Sequence, residues 1–212
     1  MTNNQSQERI WNQRYRDAGD DYLFGTSPAV FLERREALFS PRTSAFLFAD
    51  GEGRNSVWLA ERGLEVTAID VAAIAVQKAR SLAASRGVNI SASVGDISVP
   101  EWPPVEMRGR FDWVLGVFIQ FVGGAERIKQ FDAIRQMTRP SGRVLLHGYT
   151  PKQLDYKTGG PSLLENLYTK EMLLEEFSGW KIEELVEYEE DLAEGIRHNG
   201  RSALIGMIAR KP

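Results

Sequence analysis

The chain has 212 residues, 42% of them hydrophobic, and 26 Lys and Arg against 29 Asp and Glu leave a formal net charge of −3. This length suits one domain with a sizeable core, and the acidic balance argues against a nucleic-acid backbone as a partner. Because cysteine is absent, the composition excludes disulfides, thiolate zinc sites and a cysteine nucleophile. The two histidines, His147 and His198, are far apart in sequence, and we expect no metal site.

The N-terminal stretch MTNNQSQERIWNQRY is polar and does not resemble a signal peptide. No apolar run approaches the roughly 18 residues of a membrane span. We therefore expect a cytoplasmic protein without a membrane or nucleic-acid partner. The sequence leaves the oligomeric state open.

Two helices are predicted at the N-terminus, over about residues 6–17 and 28–39. In the first, Trp11 and Tyr15 lie four residues apart, which predicts a packing role for both. The segment between the helices, DYLFGTSPAVFL, contains a Gly-Thr-Ser-Pro turn.

Strands and helices then alternate, which is typical of a parallel sheet covered by helices on both faces. The predicted strands cover 44–49, 64–70, 89–96, 111–121 and 143–150, and the helices between them cover about 54–63, 72–86 and 126–138, with a turn at 139–142. After a helix at 169–177, strands at 180–190 and 201–210 follow with only a short link, 191–200, which requires antiparallel pairing.

These elements predict an α/β fold: a doubly wound, Rossmann-like, mostly parallel seven-stranded sheet with one antiparallel strand in a C-terminal hairpin. We expect a single domain over residues 1–212, with N-terminal helices and a lid over 1–40 and the core over 41–212.

A nucleoside site is predicted where the first strands end, because ligands of such sheets lie beyond the carboxyl ends of the strands. Gly51 and Gly53 follow the first strand and allow a tight turn, and the next helix begins near 54–56 with its free N–H groups towards the ligand. Asp70 ends the second strand and could accept both ribose hydroxyls. Gly95 and Asp96 end the third strand, where a carboxylate could meet the amino group of a base.

Two kinds of nucleoside ligand fit this pattern. Glu52, inside the loop, would repel the pyrophosphate of a dinucleotide. S-adenosylmethionine (SAM) has no phosphate, and its sulfonium and ammonium groups would be attracted by Asp50 and Glu52. The C-terminal hairpin also suits a class I methyltransferase better than a dinucleotide dehydrogenase.

The sequence resembles the class I SAM-dependent methyltransferases, and within them the small bacterial branch related to tellurite-resistance and thiopurine methyltransferases. The similar segments are DGEGRN (50–55), EVTAID (65–70), YLFGTSP (22–28), GYTP (148–151), TGGP (158–161) and HNGRSA (198–203). One departure is His147, where an acidic or small polar residue is expected before Gly148.

The resemblance implies SAM as cofactor and S-adenosyl-L-homocysteine as product. Asp50, Gly51 and Gly53 would surround the methionine part, Asp70 would hold the ribose, and Asp96 with Ile97 would hold the adenine. The end of the fourth strand, Gly116-Val117-Phe118, would line the methyl-transfer face. The full set of expected cofactor-binding residues is Asp50, Gly51, Glu52, Gly53, Arg54, Asn55, Asp70, Val71, Gly95, Asp96, Ile97, Gly116, Val117 and Phe118.

The acceptor side carries the two histidines as candidates for a general base. A thiol, selenol or reduced metalloid would need little help from a base, whereas a hydroxyl would need one. The link after the sixth strand should face the acceptor with Glu194, Arg197 and His198, whereas His147 fits a core position at least as well. The segment 21–31 is expected to form a lid. The expected substrate-binding residues are Tyr22, Phe24, Tyr149, Glu194 and Arg197.

The leading hypothesis is a methyltransferase that acts on a small molecule. Two alternatives stay open at this point: a SAM-binding module without turnover, and an NAD-dependent oxidoreductase. The second alternative predicts a Tyr-x-x-x-Lys proton relay, and the sequence contains none.

Overall fold

A computed structural model describes residues 3–97, 99, 102–195 and 198–212. The helices are α1 Asn3–Asp17, α2 Val30–Glu33, α3 Arg54–Glu61, α4 Ala73–Ser85, α5 Gly124–Met137, α6 Gln153–Tyr156 and α7 Lys170–Glu176. The strands are β1 Ser44–Phe48, β2 Glu65–Asp70, β3 Ser91–Val94, β4 Phe111–Val117, β5 Thr138–Tyr149, β6 Lys181–Glu194 and β7 His198–Arg210. Short 3₁₀ turns lie at Glu36–Leu38, Val105–Met107 and Leu164–Asn166.

The strands form a seven-stranded sheet in the order β3-β2-β1-β4-β5-β7-β6. The pairs β1–β2, β2–β3 and β4–β5 are parallel, and β5–β7 is antiparallel. The predicted fold class, a mostly parallel sheet with an antiparallel strand in the C-terminal hairpin, is confirmed.

The chain divides into two compact units. Unit 1 comprises Met1–Val99 and Glu194–Arg197, and unit 2 comprises Pro100–Ala193 and His198–Pro212. The predicted single-domain organisation therefore stays a prediction.

Unit 1 contains three parallel strands whose carboxyl ends lie along one edge. Strand β1 is buried on both faces, as its continuous apolar run predicts. Helices α3 and α4 cover β2 and β3 with small and branched apolar side chains. The buried members are Val57, Leu59, Ala75, Val76, Ala79 and Leu82.

Unit 2 contains β4 and β5 in parallel, with Val117 opposite His147, and β7 antiparallel to β5, with Leu204 opposite Tyr149. The carboxyl ends of β4 and β5 therefore lie at the same edge as the start of β7. Its core is formed by Val114, Leu115, Phe131, Ile134, Leu145, Leu146 and Ile208.

The second predicted helix, over 28–39, is wrong as a continuous element. It is divided into α2 and the 3₁₀ turn at Glu36–Leu38. Between them, the guanidinium of Arg35 donates to the carbonyl of Phe31 at 2.8 Å and lies 3.4 Å from its ring centroid. In a continuing α-helix the carbonyl of Phe31 would accept the backbone N–H of residue 35. Here it accepts the guanidinium of Arg35 instead.

Several strand boundaries also differ from the prediction. Strand β4 ends at Val117 and not at 121, because Phe118 has a left-handed backbone with φ +58°. The predicted turn at 139–142 lies inside β5, where the register with β4 shifts and Ser141 has φ +61°. In the C-terminal hairpin, β6 continues to Glu194 and β7 begins at His198, so most of the predicted link is strand.

Within the described ranges, no helix is both long and apolar enough to cross a bilayer. The same residues contain no group of three or more acidic, histidine or cysteine side chains arranged to hold a metal ion.

Candidate functional site

The loop between β1 and α3 is built by two glycines in left-handed conformations, Gly51 with φ +64° and Gly53 with φ +89°. A Cβ at Gly51 would lie 2.9 Å from the hydroxyl of Tyr15. A Cβ at Gly53 would lie 2.7 Å from the Cβ of Ala79 on α4. The first glycine therefore makes room for a tyrosine of α1, and the second lets α3 and α4 pack closely.

Asp70 lies at the end of β2 and is bound by this loop. Its Oδ2 accepts the backbone N–H of Gly51 at 2.9 Å, and its Oδ1 accepts that of Ala72 at 2.8 Å. Each carboxylate oxygen has a further lone pair, so the side chain is fixed in place and can still accept two hydrogen bonds from a ligand.

Asp50 and Glu52 complete an acid cluster with Asp70. The hydroxyl of Ser56 donates to Asp50 Oδ2, and Lys78 Nζ lies 2.9 Å from Glu52 Oε1. Among the described residues, Asp50 Oδ1 and Glu52 Oε2 are buried without any hydrogen-bond partner. Buried acceptors of this kind are rare unless a ligand or water completes them.

Burial disfavours negative charge in this cluster. It raises the pKa of Asp50 to about 7, with a contribution from Asp70 and an opposing one from the Ser56 hydrogen bond. Burial also raises the pKa of Asp70 to about 6. The hydrogen bonds from the two backbone N–H groups oppose this rise, and the charge of Glu52 adds to it. Burial, followed by the three acids, also raises the pKa of Tyr15 well above its ordinary value. A cation bound here would relieve this unfavourable charge.

Arg54 and Asn55, both expected to bind the cofactor, have their side chains engaged elsewhere. Arg54 Nη1 lies 2.8 Å from Glu194 Oε2 and 3.3 Å from the carbonyl oxygen of Phe24. Asn55 Oδ1 accepts the backbone N–H of Ala29 at 2.9 Å. Both side chains therefore hold the N-terminal segment, and their expected contact with cofactor is left to their backbone N–H groups.

The two aromatic residues of the predicted lid lie in different apolar clusters. Tyr22 packs against the cluster of Val57, Leu82 and Ala83, and its hydroxyl donates to the carbonyl of Lys78 at 3.3 Å. Phe24 packs against the cluster that contains Tyr15, with Trp11 at a ring-centroid distance of 6.2 Å. Both rings anchor the segment to unit 1, and their contact with an acceptor stays a prediction.

The remaining cofactor candidates of unit 1 lie at the strand edge as predicted. Val71 follows Asp70, and the Gly95 N–H donates to the Asp70 carbonyl at 3.0 Å, directly after β3. Gly95, Asp96 and Ile97 are half-buried. Their roles at an adenine stay predictions.

Four side chains of unit 2, Phe118, His147, Tyr149 and His198, form a ring cluster. The Phe118 ring centroid lies 4.8 Å from His147, 4.9 Å from Tyr149 and 4.2 Å from His198. Phe118 and His198 are half-buried, whereas Tyr149 is 2% and His147 1% exposed. Of the four, Phe118 and His198 are the ones that solvent reaches.

His147 is held inside unit 2. Its Nε2 lies 2.9 Å from the Tyr188 hydroxyl, and its carbonyl accepts the Phe118 N–H at 2.7 Å. This burial fits the core reading of His147 better than direct contact with an acceptor.

Gly116 and Gly148 are explained by close packing in unit 2. A Cβ at Gly116 would lie 2.5 Å from Ile119 Cδ1, and one at Gly148 would lie 2.3 Å from Gln120 Oε1. The Gln120 amide donates to the Tyr149 carbonyl at 2.8 Å and accepts the Tyr149 N–H at 2.5 Å. Gly148 thus leaves the space in which Gln120 binds the end of β5.

Glu194 was expected to bind the acceptor, but both of its oxygens have protein partners. Oε2 pairs with Arg54, and Oε1 accepts the Val30 N–H at 2.9 Å. Arg197, the other candidate from this link, lies outside the described residues.

The packing role predicted for Tyr15 is confirmed, because it lies in an apolar cluster with Trp11 packed against it. Sequence reasoning missed two side chains that contact the acid cluster, Ser56 and Lys78, which carried no motif. The only available signal for Lys78 was its charge on α4, directed at a glutamate that stands between two glycines.

Residues 48–142 match the family model described as a methyltransferase domain. No curated protein sequence is significantly similar to the chain. Over these residues the chain is similar to methyltransferases, as the sequence motifs predicted.

Solved structures share the fold over nearly the whole chain. A SAM-dependent methyltransferase from Anabaena variabilis is 18% identical, with a TM-score of 0.75 over 100% of this chain and 96% of that one. TehB from Haemophilus influenzae is 17% identical, with a TM-score of 0.70 over 97% of this chain and 67% of that one. A protein solved in work on the conversion of a disulfide bond into a thioacetal group during echinomycin biosynthesis is 17% identical, with a TM-score of 0.76 over 97% and 92% of the two chains.

Proposed function

We propose that the protein transfers a methyl group from SAM to a small-molecule acceptor and that the acid cluster of unit 1 binds the cationic part of SAM. The observation that carries this proposal is the pair of buried oxygens without protein partners, Asp50 Oδ1 and Glu52 Oε2. SAM supplies an activated methyl group on a sulfonium. An ammonium or sulfonium near these oxygens would satisfy them and offset the desolvation of the carboxylates.

The same cluster argues against a dinucleotide. A pyrophosphate beside Asp50, Glu52 and Asp70 would add negative charge to a site in which burial already raises the pKa of two of these acids. Asp70, fixed by two backbone N–H groups, is suited to accept the hydroxyls of a ribose.

On the acceptor side, we propose that Phe118 and His198 contact the methyl acceptor. The aromatic side chains of the ring cluster suit a soft, polarizable nucleophile such as a thiol, a selenol or a reduced metalloid. Such a nucleophile reacts with little help from a base. For an acceptor with a hydroxyl, His198 would serve as the base, since His147 is buried and its Nε2 is engaged with Tyr188.

The proposal is tested by calorimetric titration with SAM, S-adenosylhomocysteine and NAD, followed by assay of S-adenosylhomocysteine formation with thiol, selenol, metalloid and hydroxyl acceptors. We expect SAM and S-adenosylhomocysteine to bind and NAD not to bind. Preference for NAD would overturn the proposal. Tight SAM binding without turnover on any acceptor would instead indicate a binding module.

A further inference from the structure

The contacts that carry a further inference begin at a buried ion pair in unit 1. Arg54 Nη1 and Glu194 Oε2 are 2.8 Å apart, and the two side chains are 6% and 4% exposed. A buried pair is tolerated only when its remaining hydrogen-bonding atoms also find partners. Here Arg54 also donates to the Phe24 carbonyl, and Glu194 also accepts the Val30 N–H at 2.9 Å. Both additional partners belong to the predicted lid segment, residues 21–31.

The residues next to the ion pair hold the same segment. Gly195 has φ +75°, and a Cβ at this position would lie 2.4 Å from the Phe24 carbonyl carbon and 2.5 Å from the Gly25 nitrogen. The Asn55 side chain accepts the Ala29 N–H. This end of the lid segment is therefore bound through its backbone as well as through the packing of the Phe24 ring.

The other end of the lid segment is bound through the loop between β1 and α3, residues 49–53, which we call the glycine loop. Lys78 Nζ donates to the Asp21 carbonyl at 2.6 Å and pairs with Glu52 at 2.9 Å. Glu52 of the loop and Arg54, the first residue of α3, thus each pair with a residue that also binds the segment. A displacement of the loop would change both attachments at once.

We propose that Arg54 and Glu194 are positioning residues that couple the order of the lid segment to occupancy of the glycine loop. In this role Glu194 does not touch the acceptor; it closes the segment over the loop through Arg54 and Val30. The kinetic part of this inference rests on the proposed function, and the structural part does not.

The test is hydrogen exchange of the peptide that covers residues 21–31. Glu194→Gln keeps an oxygen for the Val30 N–H but removes the charge opposite Arg54. Gly195→Ala leaves both charges and forces a methyl group into the backbone of the segment. We expect on the order of tenfold faster exchange of this peptide in both variants, in line with the loss of a hydrogen bond to a charged group. In the wild type, SAM should slow the exchange of the same peptide. The matched control is Glu189→Gln, also in β6, whose exposed carboxylate pairs with Lys152; it should leave exchange unchanged.

The kinetic readout separates positioning from a purely structural role. Positioning predicts that KM for SAM rises and kcat falls in Glu194→Gln, whereas a structural role predicts a lower melting temperature with both constants unchanged. If Glu194→Gln does not fold, the same exchange and kinetic measurements on Gly195→Ala and Asn55→Ala test the inference. Wild-type exchange over 21–31 in a folded variant overturns the inference. Because exchange is measured without turnover, that result is distinct from a failure of the wild type to bind SAM.

Discussion

Protonation of Asp50 should control the affinity for SAM. With its pKa at about 7, Asp50 is about one-tenth ionised at pH 6 and about half ionised at pH 7. If the ionised form binds the cation, affinity should rise about fivefold between these pH values, and ionisation of Asp70, with its pKa at about 6, should add to the rise. This range lies below the usual pKa of an α-amino group, so the ligand keeps its charge.

The assay is calorimetric titration with SAM at pH 6 and pH 7 in buffers of different ionisation enthalpy. At pH 7 we expect release of about half a proton from Asp50 on binding. Asp50→Asn should remove most of the pH dependence, because the neutral amide resembles the protonated acid. An affinity that is equal at both pH values, or a slope that persists unchanged in Asp50→Asn, would refute the role of Asp50.

The same shift predicts the stability of the protein without ligand. A carboxyl group whose pKa is raised on folding favours the folded state below its unfolded pKa of 3.8, and this contribution is lost as pH rises through about 7. The loss is up to about 4 kcal/mol. Urea denaturation should therefore show Asp50→Asn to be more stable than the wild type at pH 8, with the difference fading towards pH 4.

Three further substitutions test other parts of the account. Lys78→Met leaves Glu52 buried without its cation and should lower the free energy of unfolding by about 3–5 kcal/mol. Lys152→Met, at an exposed pair, should change it little, and equal effects of the two substitutions in denaturant titrations would contradict the buried pairing. Gly148→Ala places a methyl group against a buried glutamine amide and should cost about 1–3 kcal/mol; an unchanged denaturation midpoint would mean that the amide moves freely. His198→Ala should lower turnover of a hydroxyl acceptor by on the order of 10²-fold with little change in SAM affinity. Equal losses of turnover and of SAM affinity would contradict a contact between His198 and the acceptor.

The sheet could be predicted because the sequence patterns that mark its strands and the helices between them lie within each element. A buried strand such as β1 is a continuous apolar run, and glycines such as Gly63 and Gly87, both with positive φ, mark the ends of helices α3 and α4. The hairpin was predicted as antiparallel from its short link alone. Its strands extend further than predicted because polar residues such as Asp191 alternate there with buried ones such as Leu192.

The candidate site was predictable only in part. Asp50 and Asp70 follow from their position after strands, which the topology brings to one edge. The partners of Glu52 and Arg54 do not, since Lys78 and Glu194 are distant in sequence and carry no pattern that links them to the loop. Such pairing depends on tertiary geometry, so the sequence did not show that the side chains of Arg54 and Asn55 bind Glu194 and Ala29. Their contact with the cofactor stays a prediction.

A crystal structure of the protein grown with S-adenosylhomocysteine would show whether Asp50 and Asp70 bind this ligand. We expect the ribose hydroxyls within hydrogen-bonding distance of Asp70 and the ligand's ammonium group beside Asp50 Oδ1. Ligand density elsewhere on the protein, or Asp50 Oδ1 and Glu52 Oε2 still without a partner in a fully occupied complex, would contradict this binding site.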